Sequence, residues 1–303
     1  TRFMISPNIG LALGGGGARG VAHIGVLQEL HKAKIKFDII SGTSAGSIIG
    51  AMYAATLDPF WIENQFRKFI KSKLFSTLHF KSFKKNSNPN SIFDQITKKV
   101  ADHYVLMMGL NRTSIVSKDR LKKAISYLIP CENFHELKIP LKVISTDLNS
   151  GNDIITTSGD LVEAIVQSSS IPGFVEPTKN KDKIIVDGGV GMPIPITALK
   201  SDCKFILAVD ISNYDIKPLK NINIMKIMKR SETITSLRLK SILSKNADFL
   251  IRPNTMGLHW SEFDKFEDLL DCGKVSVREN LKQLKSAINQ NSSFYDKLKQ
   301  WLS

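Results

Sequence analysis

The first forty residues alternate between apolar runs and a glycine-rich break. Residues Asn8 to Leu13 have the sequence NIGLAL, which predicts a short buried strand. A glycine-rich segment, GGGGARG, occupies Gly14 to Gly20. Apolar residues then recur at the spacing of one helical face, at Val21, Ile24, Leu27 and Leu30. The pattern therefore predicts strand, glycine loop and helix over residues 8–34.

A second strand-to-helix unit follows at once. Phe37 to Ile40 form a short apolar run that predicts a buried strand. Ala45 to Thr56 are small and apolar residues compatible with a helix. Asp58-Pro59 ends that helix, because the residue before a proline is disfavoured in the helical region.

Strands and helices keep alternating in the second half of the chain. We predict strands at 139–147, 154–157, 184–187, 205–210 and 249–252, and a helix at 161–168. The remainder after residue 210 is expected to be helical. Such alternation predicts a three-layer α/β fold with a mostly parallel central sheet and helices on both faces.

Residues 60–112 interrupt the alternation. A Phe-rich helical segment lies between Phe60 and Leu78, and a polar loop separates it from a second helical stretch at Ile92–Leu106. We interpret residues 60–112 as a helical cap insertion, and two ordinary packed helices are the simpler alternative. The main domain is predicted at 8–285, with a C-terminal helical tail at 286–303.

Composition limits the function classes. The hydrophobic content of 42% is normal for a globular chain. Cys131, Cys203 and Cys272 are isolated, which argues against zinc, iron–sulfur and disulfide frameworks and fits a reducing compartment. The sequence has no apolar stretch of membrane-spanning length and no recognisable signal peptide, so we expect a cytoplasmic location.

The net charge of +14 is concentrated in two segments. One runs from Lys71 to Lys85, and the other from Lys217 to Lys245. Apolar residues such as Ile222 and Met228 are interspersed with the lysines of the second segment. These basic segments have two possible interpretations. They form a solvated lysine-rich surface, or they make peripheral contact with an anionic membrane surface. Nucleic acid is not expected as a partner, because no binding motif appears and aromatic residues are not interleaved with the basic ones.

Residues Ile40 to Met52, ISGTSAGSIIGAM, contain the pattern Gly-x-Ser-x-Gly. In a nucleophile elbow, a serine on a sharp strand-to-helix turn adopts strained backbone angles and exposes its hydroxyl. The strand and helix then approach so closely that the flanking positions, here Gly42 and Gly46, must lack side chains. Because the pattern also occurs by chance, Ser44 needs supporting features elsewhere in the chain.

The glycine loop admits two interpretations. Gly15-x-Gly17-x-x-Gly20 matches the dinucleotide-binding fingerprint. That fingerprint expects an acidic residue at the end of the second strand, whereas Asp38 precedes the apolar pair Ile39-Ile40. Alternatively, bare backbone N–H groups at a helix N-terminus can stabilise an oxyanion beside a nucleophilic serine. We favour the oxyanion interpretation.

A nucleophilic serine requires a base. None of the histidines, at positions 23, 31, 79, 103, 135 and 259, lies in a triad-like motif, and we expect surface or structural roles for them. Asp187 ends the apolar run Ile184-Ile185-Val186 and precedes Gly188-Gly189. A desolvated carboxylate at such a strand end could take the serine proton directly. An ordinary Asp-Gly turn is the alternative.

Together, GGGARG, then GTSAG, then DGG resemble the motifs of the patatin-like phospholipases. The segment Phe134 to Pro177, with its Ser-Ile-Pro-Gly stretch, resembles the middle of that family. The region from Asn246 to the final helix is similar to its bacterial branch. The resemblance extends from about Asn8 to about Lys285 and implies a patatin-like α/β fold.

The resemblance also implies the chemistry. These enzymes are acyl hydrolases with a Ser–Asp dyad, so Ser44 would be the nucleophile and Asp187 the base. Gly15, Gly16 and Gly17 would supply oxyanion donors together with the N–H of Ala45, and Arg19 would orient the loop. The remaining motif positions are Gly20, Gly42, Gly46, Gly188 and Gly189.

The function expected from the resemblance is hydrolysis of phospholipid or lysophospholipid carboxyl esters through an acyl-enzyme. The expected partner is the lipid substrate, and no cofactor or metal is expected. A catalytically silent lipid-binding or regulatory protein of the same fold is one alternative. A dinucleotide-binding oxidoreductase is a weaker one, because it explains neither the Gly-x-Ser-x-Gly pattern nor Asp187.

Overall fold

The computed structural model describes residues 9–78, 114–216, 218–219 and 222–302. The strands are β1 (Ile9–Leu13), β2 (Ile39–Thr43), β3 (Leu141–Asp147), β4 (Asp153–Thr156), β5 (Thr178–Asn180), β6 (Lys183–Asp187), β7 (Phe205–Val209) and β8 (Phe249–Ile251). The α-helices are α1 (Val21–Lys32), α2 (Ala45–Thr56), α3 (Pro59–Lys71), α4 (Lys73–Ser76), α5 (Lys118–Leu128), α6 (Leu161–Ser168), α7 (Ile224–Ser244) and α8 (Phe266–Leu302).

The strands form one eight-stranded sheet with the order β5-β6-β3-β2-β1-β7-β8, and β4 also pairs with β3. Strands β1, β2, β3, β7 and β8 run parallel to one another. The pairings of β3 with β4, of β3 with β6 and of β5 with β6 are antiparallel. The predicted α/β class with a mostly parallel sheet is confirmed, with an antiparallel edge that the apolar pattern did not indicate.

The two faces of β1 enter different parts of the core. Leu11 and Leu13 belong to the main hydrophobic cluster, which also contains residues of α1, α2 and α8. Ala12 points to the opposite face and packs with Ile194 and neighbouring residues of the 192–199 segment. This alternation is the period of a strand covered on both sides.

Helices α1 and α8 cross in close contact. A Cβ atom at Gly25 would lie 2.0 Å from the Leu270 carbonyl oxygen, and one at Gly273 would lie 2.1 Å from the Ala22 carbonyl oxygen. Glycine is therefore required on both helices at the crossing, because any side chain would force the backbones apart. Helix α8 runs without interruption past residue 285, so the predicted C-terminal tail continues a helix of the main body.

The register along β3 brings two strand ends together. Thr43, the last residue of β2, pairs with Ile144, and Asp187, the last residue of β6, pairs with Ser145. Because Ile144 and Ser145 already pair with β4 on their other side, β2 and β6 share one edge of β3. Both strands therefore end at adjacent positions of that edge.

Several element bounds were predicted closely. Helices α2 and α6 have the predicted bounds, whereas β2 begins at Ile39 instead of Phe37 and extends to Thr43. Asp58 does not merely end α2, since its side chain accepts hydrogen bonds from the N–H groups of Phe60 and Trp61 and caps α3. Helix α5 and strand β5 were not predicted.

The predicted cap is described only in part. Its Phe-rich segment forms α3 and α4, in which Phe66, Phe69 and Phe75 are buried. The predicted stretch Ile92–Leu106 lies outside the described residues, so the cap remains a prediction. Within the described ranges, no helix is both long and apolar enough to cross a bilayer.

Candidate active site

Ser44 occupies a sharp turn between β2 and α2. Its backbone angles are φ 54° and ψ −123°, a conformation that residues other than glycine rarely adopt. A Cβ atom at Gly42 would lie 2.5 Å from Ser47 Cα, and one at Gly46 would lie 2.1 Å from the Leu13 carbonyl oxygen. The glycines of the Gly-x-Ser-x-Gly pattern therefore permit the close approach that this turn requires.

The turn is held by serine hydrogen bonds. The Ser44 N–H donates to Ser168 Oγ at 2.9 Å, and the Ser44 carbonyl accepts from Ser47 Oγ at 2.6 Å. Ser44 is buried, and its hydroxyl lies close enough to the Asp187 carboxylate to favour the charged form of that group. The structure therefore brings together the two residues that the sequence suggested as nucleophile and base.

Asp187 is a buried carboxylate at the end of β6. Its Oδ1 accepts a 2.7 Å hydrogen bond from the Gly189 N–H, and its own N–H donates to the Ser170 carbonyl at 2.9 Å. Burial raises the pKa of Asp187 to about 6, although the neighbouring Ser44 hydroxyl and the hydrogen bond from Gly189 oppose the rise. A carboxylate with this pKa is a stronger base than an exposed one and is still ionised at neutral pH.

Gly188 is also needed for this geometry. A Cβ atom at Gly188 would lie 2.4 Å from the carbonyl oxygen of Ile144 on β3. The Asp-Gly-Gly motif thus keeps the chain against the sheet directly after Asp187, and the second glycine supplies the N–H that holds the carboxylate.

The glycine loop uses some of its amides internally. The Gly14 N–H donates to the Val209 carbonyl at 3.1 Å, and the Gly15 N–H donates to the Pro193 carbonyl at 3.0 Å. We therefore do not propose Gly15 as an oxyanion donor, because its N–H already donates to the Pro193 carbonyl. Gly15 instead packs on the nucleophile, since a Cβ atom there would lie 3.2 Å from Ser44 Cβ.

Gly16, Gly17 and Ala45 retain their candidate donor role. Gly16 precedes a 3₁₀ turn at Gly17–Gly20, and Ala45 is the first residue of α2. First-turn N–H groups have no partner within their own helix. Gly17 has a φ of 59°, and a Cβ atom there would lie 2.4 Å from the Trp260 carbonyl oxygen, so this position requires glycine.

Arg19 and Gly20 connect the loop to the elbow. Arg19 Nε donates to the Gly16 carbonyl at 3.3 Å, a contact that fits the predicted loop-orienting role. A Cβ atom at Gly20 would lie 2.7 Å from Ala45 Cβ. The loop and the elbow therefore pack directly against each other, with the amides of Gly17 and Ala45 on neighbouring elements.

No hydrogen bond joins Ser44 to any of the histidines that the structure describes. His23 is buried on α1 with Nε2 2.8 Å from the Gly14 carbonyl oxygen, and burial lowers its pKa to about 4. His31 and His135 are exposed, and His259 Nδ1 lies 2.9 Å from Ser261 Oγ. The structural role expected for His23 fits its place beneath the glycine loop. His79 and His103 lie outside the described residues.

An apolar pocket opens beside Ser44. Its walls come from α2, α3, α5, the segment after α6 and the segment before α8. The lining side chains are almost all aliphatic or aromatic. They include Ile48, Phe66, Phe69, Leu121, Ile125, Leu128, Phe174, Trp260 and Phe263. No charged residue lines this pocket among the residues that the structure describes.

Asp210 is a second buried carboxylate at the end of a strand, and its role was not found from the sequence. Asp210 directly follows β7 and accepts hydrogen bonds from the Ser212 N–H at 3.0 Å and from the Tyr214 hydroxyl at 2.7 Å. Burial would raise the pKa of Asp210, but the hydrogen bonds from Ser212 and Tyr214 lower it below its usual value. The available signal was its position at the end of an apolar strand, as for Asp187.

Lys240 of α7 is the other residue that sequence reasoning missed. Its charge acts on both Asp187 and Asp210. It lies far from both aspartates in the sequence, and no motif surrounds it. In the described part of the chain, no group of three or more His, Cys, Asp or Glu side chains could hold a metal ion.

Comparison with known proteins places these motifs in a family. The family model "Patatin-like phospholipase" matches residues 11–200. The chain is 27% identical over 218 residues to an uncharacterized NTE family protein of Mycobacterium bovis, covering 71% of this chain and 52% of the relative. It is 23% identical over 308 residues to lysophospholipase NTE1 of Debaryomyces hansenii, covering 92% of this chain and 18% of the relative.

Among solved structures, human GIVD cytosolic phospholipase A2 matches with a TM-score of 0.49 and 12% identity, over 97% of this chain and 60% of that one. The chain spans about half the length of the mycobacterial relative and less than a fifth of the yeast one. Because the family model matches more than half of the chain, this protein belongs to the patatin-like phospholipase family.

Proposed function

We propose that this protein is a serine acyl hydrolase that cleaves carboxyl esters of lipids, with Ser44 as nucleophile and Asp187 as general base. The observation that carries the proposal is the position of the Ser44 hydroxyl beside a buried carboxylate, at an elbow with strained backbone angles. This is the geometry by which a neighbouring base activates a serine hydroxyl. Family membership agrees with ester hydrolysis.

In the first step, Ser44 Oγ attacks the ester carbonyl carbon and Asp187 accepts the hydroxyl proton. The carbonyl oxygen becomes an oxyanion, which the N–H groups of Gly16, Gly17 and Ala45 stabilise. The bond between the carbonyl carbon and the alcohol oxygen then breaks, and Asp187 returns the proton to the departing alcohol. The acyl group remains on Ser44 as an ester.

In the second step, a water molecule attacks the acyl-enzyme. Asp187 again accepts a proton, the bond to Ser44 Oγ breaks, and the proton passes to that oxygen. The fatty acid leaves and the resting dyad is restored. The pKa of about 6 suits both steps, because Asp187 is ionised at neutral pH and is basic enough to accept a proton.

The apolar pocket is the proposed binding site for the acyl chain. Its aliphatic and aromatic walls contain no charged residue among those described, and it reaches Ser44 and Ala45. Burial of each methylene of a chain in such a pocket stabilises the complex by about 0.8 kcal/mol. A lysophospholipid or phospholipid is the proposed substrate class, which agrees with the name of the yeast relative.

We also propose that the enzyme works at an anionic membrane surface from the cytoplasmic side. The N-terminal half of α7, together with Ile222 two residues before it, exposes apolar side chains, with Ile222 68%, Ile224 76% and Met228 62% exposed. Lys226 and Lys229 are exposed on the same segment. Exposed apolar residues bordered by lysines favour docking on an anionic bilayer. Lys217 and Lys220 lie outside the described residues.

Two alternative functions, dinucleotide binding and a catalytically silent role, have less support. Dinucleotide binding needs a glycine loop with its amides available for phosphates, but the N–H groups of Gly14 and Gly15 are already bonded to carbonyls. The catalytically silent alternative leaves the strained backbone of Ser44, beside a buried carboxylate, without an explanation.

Hydrolysis of a panel of lysophospholipids and phospholipids tests the proposal. We expect release of fatty acid by the unmodified chain and none above background by Ser44→Ala. Release by both proteins at equal rates would contradict the nucleophile assignment. No release by either would favour the silent alternative.

A further inference from the structure

A run of three serines at the end of α6 contacts both residues of the dyad. Ser168 Oγ accepts a 2.9 Å hydrogen bond from the Ser44 N–H, and the Ser170 carbonyl accepts a 2.9 Å hydrogen bond from the Asp187 N–H. Ser169 lies between these two contacts in the chain. Because consecutive Cα atoms are only about 3.8 Å apart, the Ser169 Cα is held close to the elbow.

Of these three serines, only Ser169 lines the apolar pocket, and it shares the pocket wall with Ser44. Ser170 instead donates its hydroxyl to the Val166 carbonyl at 2.8 Å. The end of α6 fixes the Ser169 backbone, because the Ser169 N–H donates to the Ile165 carbonyl at 3.0 Å. The Ser169 side chain is therefore set into the pocket wall at the end where the nucleophile lies.

The Ser169 hydroxyl is buried and unpartnered. Ser169 is only 7% exposed, and its Oγ makes no hydrogen bond to any residue that the structure describes. The pocket wall around it is almost entirely aliphatic and aromatic, so packing alone would favour an apolar residue at position 169. A buried hydroxyl without a partner costs about 1 to 3 kcal/mol. A bound molecule that presents an oxygen atom to Ser169 would remove that cost.

An ester brings two oxygen atoms to this end of the pocket. In the proposed mechanism, its carbonyl oxygen is bound by the N–H groups of Gly16, Gly17 and Ala45. The acyl chain beyond the carbonyl carbon is hydrocarbon and has no hydrogen-bond acceptor. The alkoxy oxygen of the scissile bond is therefore the substrate oxygen that remains for Ser169.

We propose that the Ser169 hydroxyl donates a hydrogen bond to the alkoxy oxygen of the scissile ester and stabilises that oxygen as the alcohol departs. This inference rests on the proposed ester hydrolysis. When the bond between the carbonyl carbon and the alkoxy oxygen breaks, its electron pair passes to that oxygen, which takes the proton held by Asp187. Ser169 keeps its own proton and contributes only the hydrogen bond. Because the oxygen is most negative in the transition state, the hydrogen bond is strongest there and accelerates cleavage.

Two esters with the same acyl chain and different leaving groups test the proposal. We compare kcat/KM for the 4-nitrophenyl ester and the glycerol monoester of one short fatty acid, both below their critical micelle concentrations. 4-Nitrophenolate departs readily without a hydrogen bond, whereas the alkoxide of glycerol does not. Ser169→Ala should lower kcat/KM for the glycerol ester by about 10- to 100-fold, as expected for a hydrogen bond to a charged oxygen. The value for the 4-nitrophenyl ester should change much less.

Two further variants separate the hydrogen bond from packing. Ser169→Thr keeps a hydroxyl and should retain most of the activity on the glycerol ester. Thr178→Val is the matched control, because Thr178 on β5 also has a buried hydroxyl without a partner among the described residues but does not line the pocket. It should leave kcat/KM for both esters unchanged.

Thermal unfolding tests whether the hydroxyl is unpartnered in the free protein. Ser169→Ala should melt at the same temperature as the unmodified chain or at a higher one. A lower melting temperature would show that the hydroxyl already has a partner, which would count against the inference.

The 4-nitrophenyl esters of a fatty acid and of its 3-hydroxy derivative distinguish the alkoxy oxygen from an oxygen on the acyl chain. Ser169→Ala should hydrolyse both at nearly the rates of the unmodified chain. A loss confined to the 3-hydroxy ester would assign the Ser169 hydroxyl to the acyl chain and overturn the inference. An equal loss on the glycerol and 4-nitrophenyl esters, or no loss on either, would also overturn it while leaving ester hydrolysis intact. Failure of the unmodified chain to hydrolyse any of these esters would instead contradict the proposed function.

Discussion

Ser44 and Asp187 lie side by side at the point where β2 and β6 end along one edge of β3. Thr43 pairs with Ile144, and Asp187 pairs with the next residue, Ser145. A parallel strand and an antiparallel strand thus deliver the two groups to the same place from opposite directions. Neither residue needs a loop of its own to reach the other, so the sheet itself fixes the geometry.

The strained elbow predicts an unusual effect on stability. The free energy of unfolding of Ser44→Gly should be about 1 kcal/mol higher than that of Ser44→Ala. Glycine tolerates a φ of 54°, whereas alanine does not. Both variants should lose ester hydrolysis. Urea unfolding of the two variants measures the difference, and a Ser44→Gly protein less stable than Ser44→Ala would contradict the inferred strain.

Burial of Asp187 predicts that the free energy of unfolding depends on pH. Because the folded protein raises its pKa from 3.8 to about 6, ionisation is opposed in the folded state. The protonated Asp187 carboxyl contributes favourably to the free energy of unfolding. This contribution is complete below about pH 4 and is lost as the pH rises through about 6. Asp187→Asn does not titrate, so it should gain stability relative to the unmodified chain by at most about 3 kcal/mol between pH 4 and 7.

Asp182→Asn is the control for that measurement, since Asp182 is exposed just before β6. Urea unfolding of all three proteins is compared at each pH. A stability difference between Asp187→Asn and the unmodified chain that is constant with pH would show that Asp187 does not titrate in this range.

Gly17→Ala tests the oxyanion loop. The added methyl group would collide with the Trp260 carbonyl and shift the amide of residue 17. We expect kcat to fall by about 10²-fold, the effect of losing one oxyanion donor, with a smaller change in KM. Gly151→Ala is the matched control, because Gly151 also has a positive φ, 73°, but has open space around it. A change confined to KM would indicate that the loop only binds substrate.

Membrane docking by α7 predicts a dependence on charge and salt. Reversal of Lys226, Lys229 and Arg230 should weaken binding to anionic vesicles by about 2 kcal/mol per residue, because each reversal changes two units of charge. Rising salt should also weaken binding of the unmodified chain. Activity on vesicles should fall, whereas hydrolysis of a short water-soluble ester should not. Vesicle sedimentation measures the binding.

Reversal of Lys179, Lys181 and Lys183 supplies the control for that experiment. These lysines are exposed on the β5–β6 hairpin, and the triple variant changes the net charge by the same amount. It should bind vesicles like the unmodified chain. Equal binding to neutral and anionic vesicles, or none to either, would count against electrostatic docking.

Much of the fold could be predicted because its signals are local. The bounds of α2 and α6 follow from short apolar patterns with clear ends. The antiparallel pairing of β6 with β3 could not be predicted, because strand pairing depends on contacts between distant residues. Strand β5 escaped prediction because its residues, Thr178–Asn180, are polar and few.

Some residues of the candidate site could likewise be predicted from local motifs, and others could not. Glycines that permit close approach lie in recognisable motifs, and so do Ser44 and Asp187. The charge of Lys240 acts on Asp187 from a helix with no motif, and Ser168 Oγ accepts a hydrogen bond from the Ser44 N–H at the end of α6. The Gly15 N–H is not available as an oxyanion donor because it donates to the carbonyl of Pro193, which is far away in the sequence. Such relationships arise only when the chain is folded.

Covalent labelling by a long-chain alkyl fluorophosphonate tests the central claim most directly. The probe phosphonylates an activated serine, and mass spectrometry of the peptides locates the adduct. We expect one adduct on the peptide containing Ser44 in the unmodified chain, none on Ser44→Ala, and labelling slowed by at least about 10²-fold in Asp187→Asn. The labelling rate of the unmodified chain should rise with pH through about 6, as Asp187 ionises. An adduct on another residue, or equal labelling of Ser44 in Asp187→Asn, would contradict the assigned dyad.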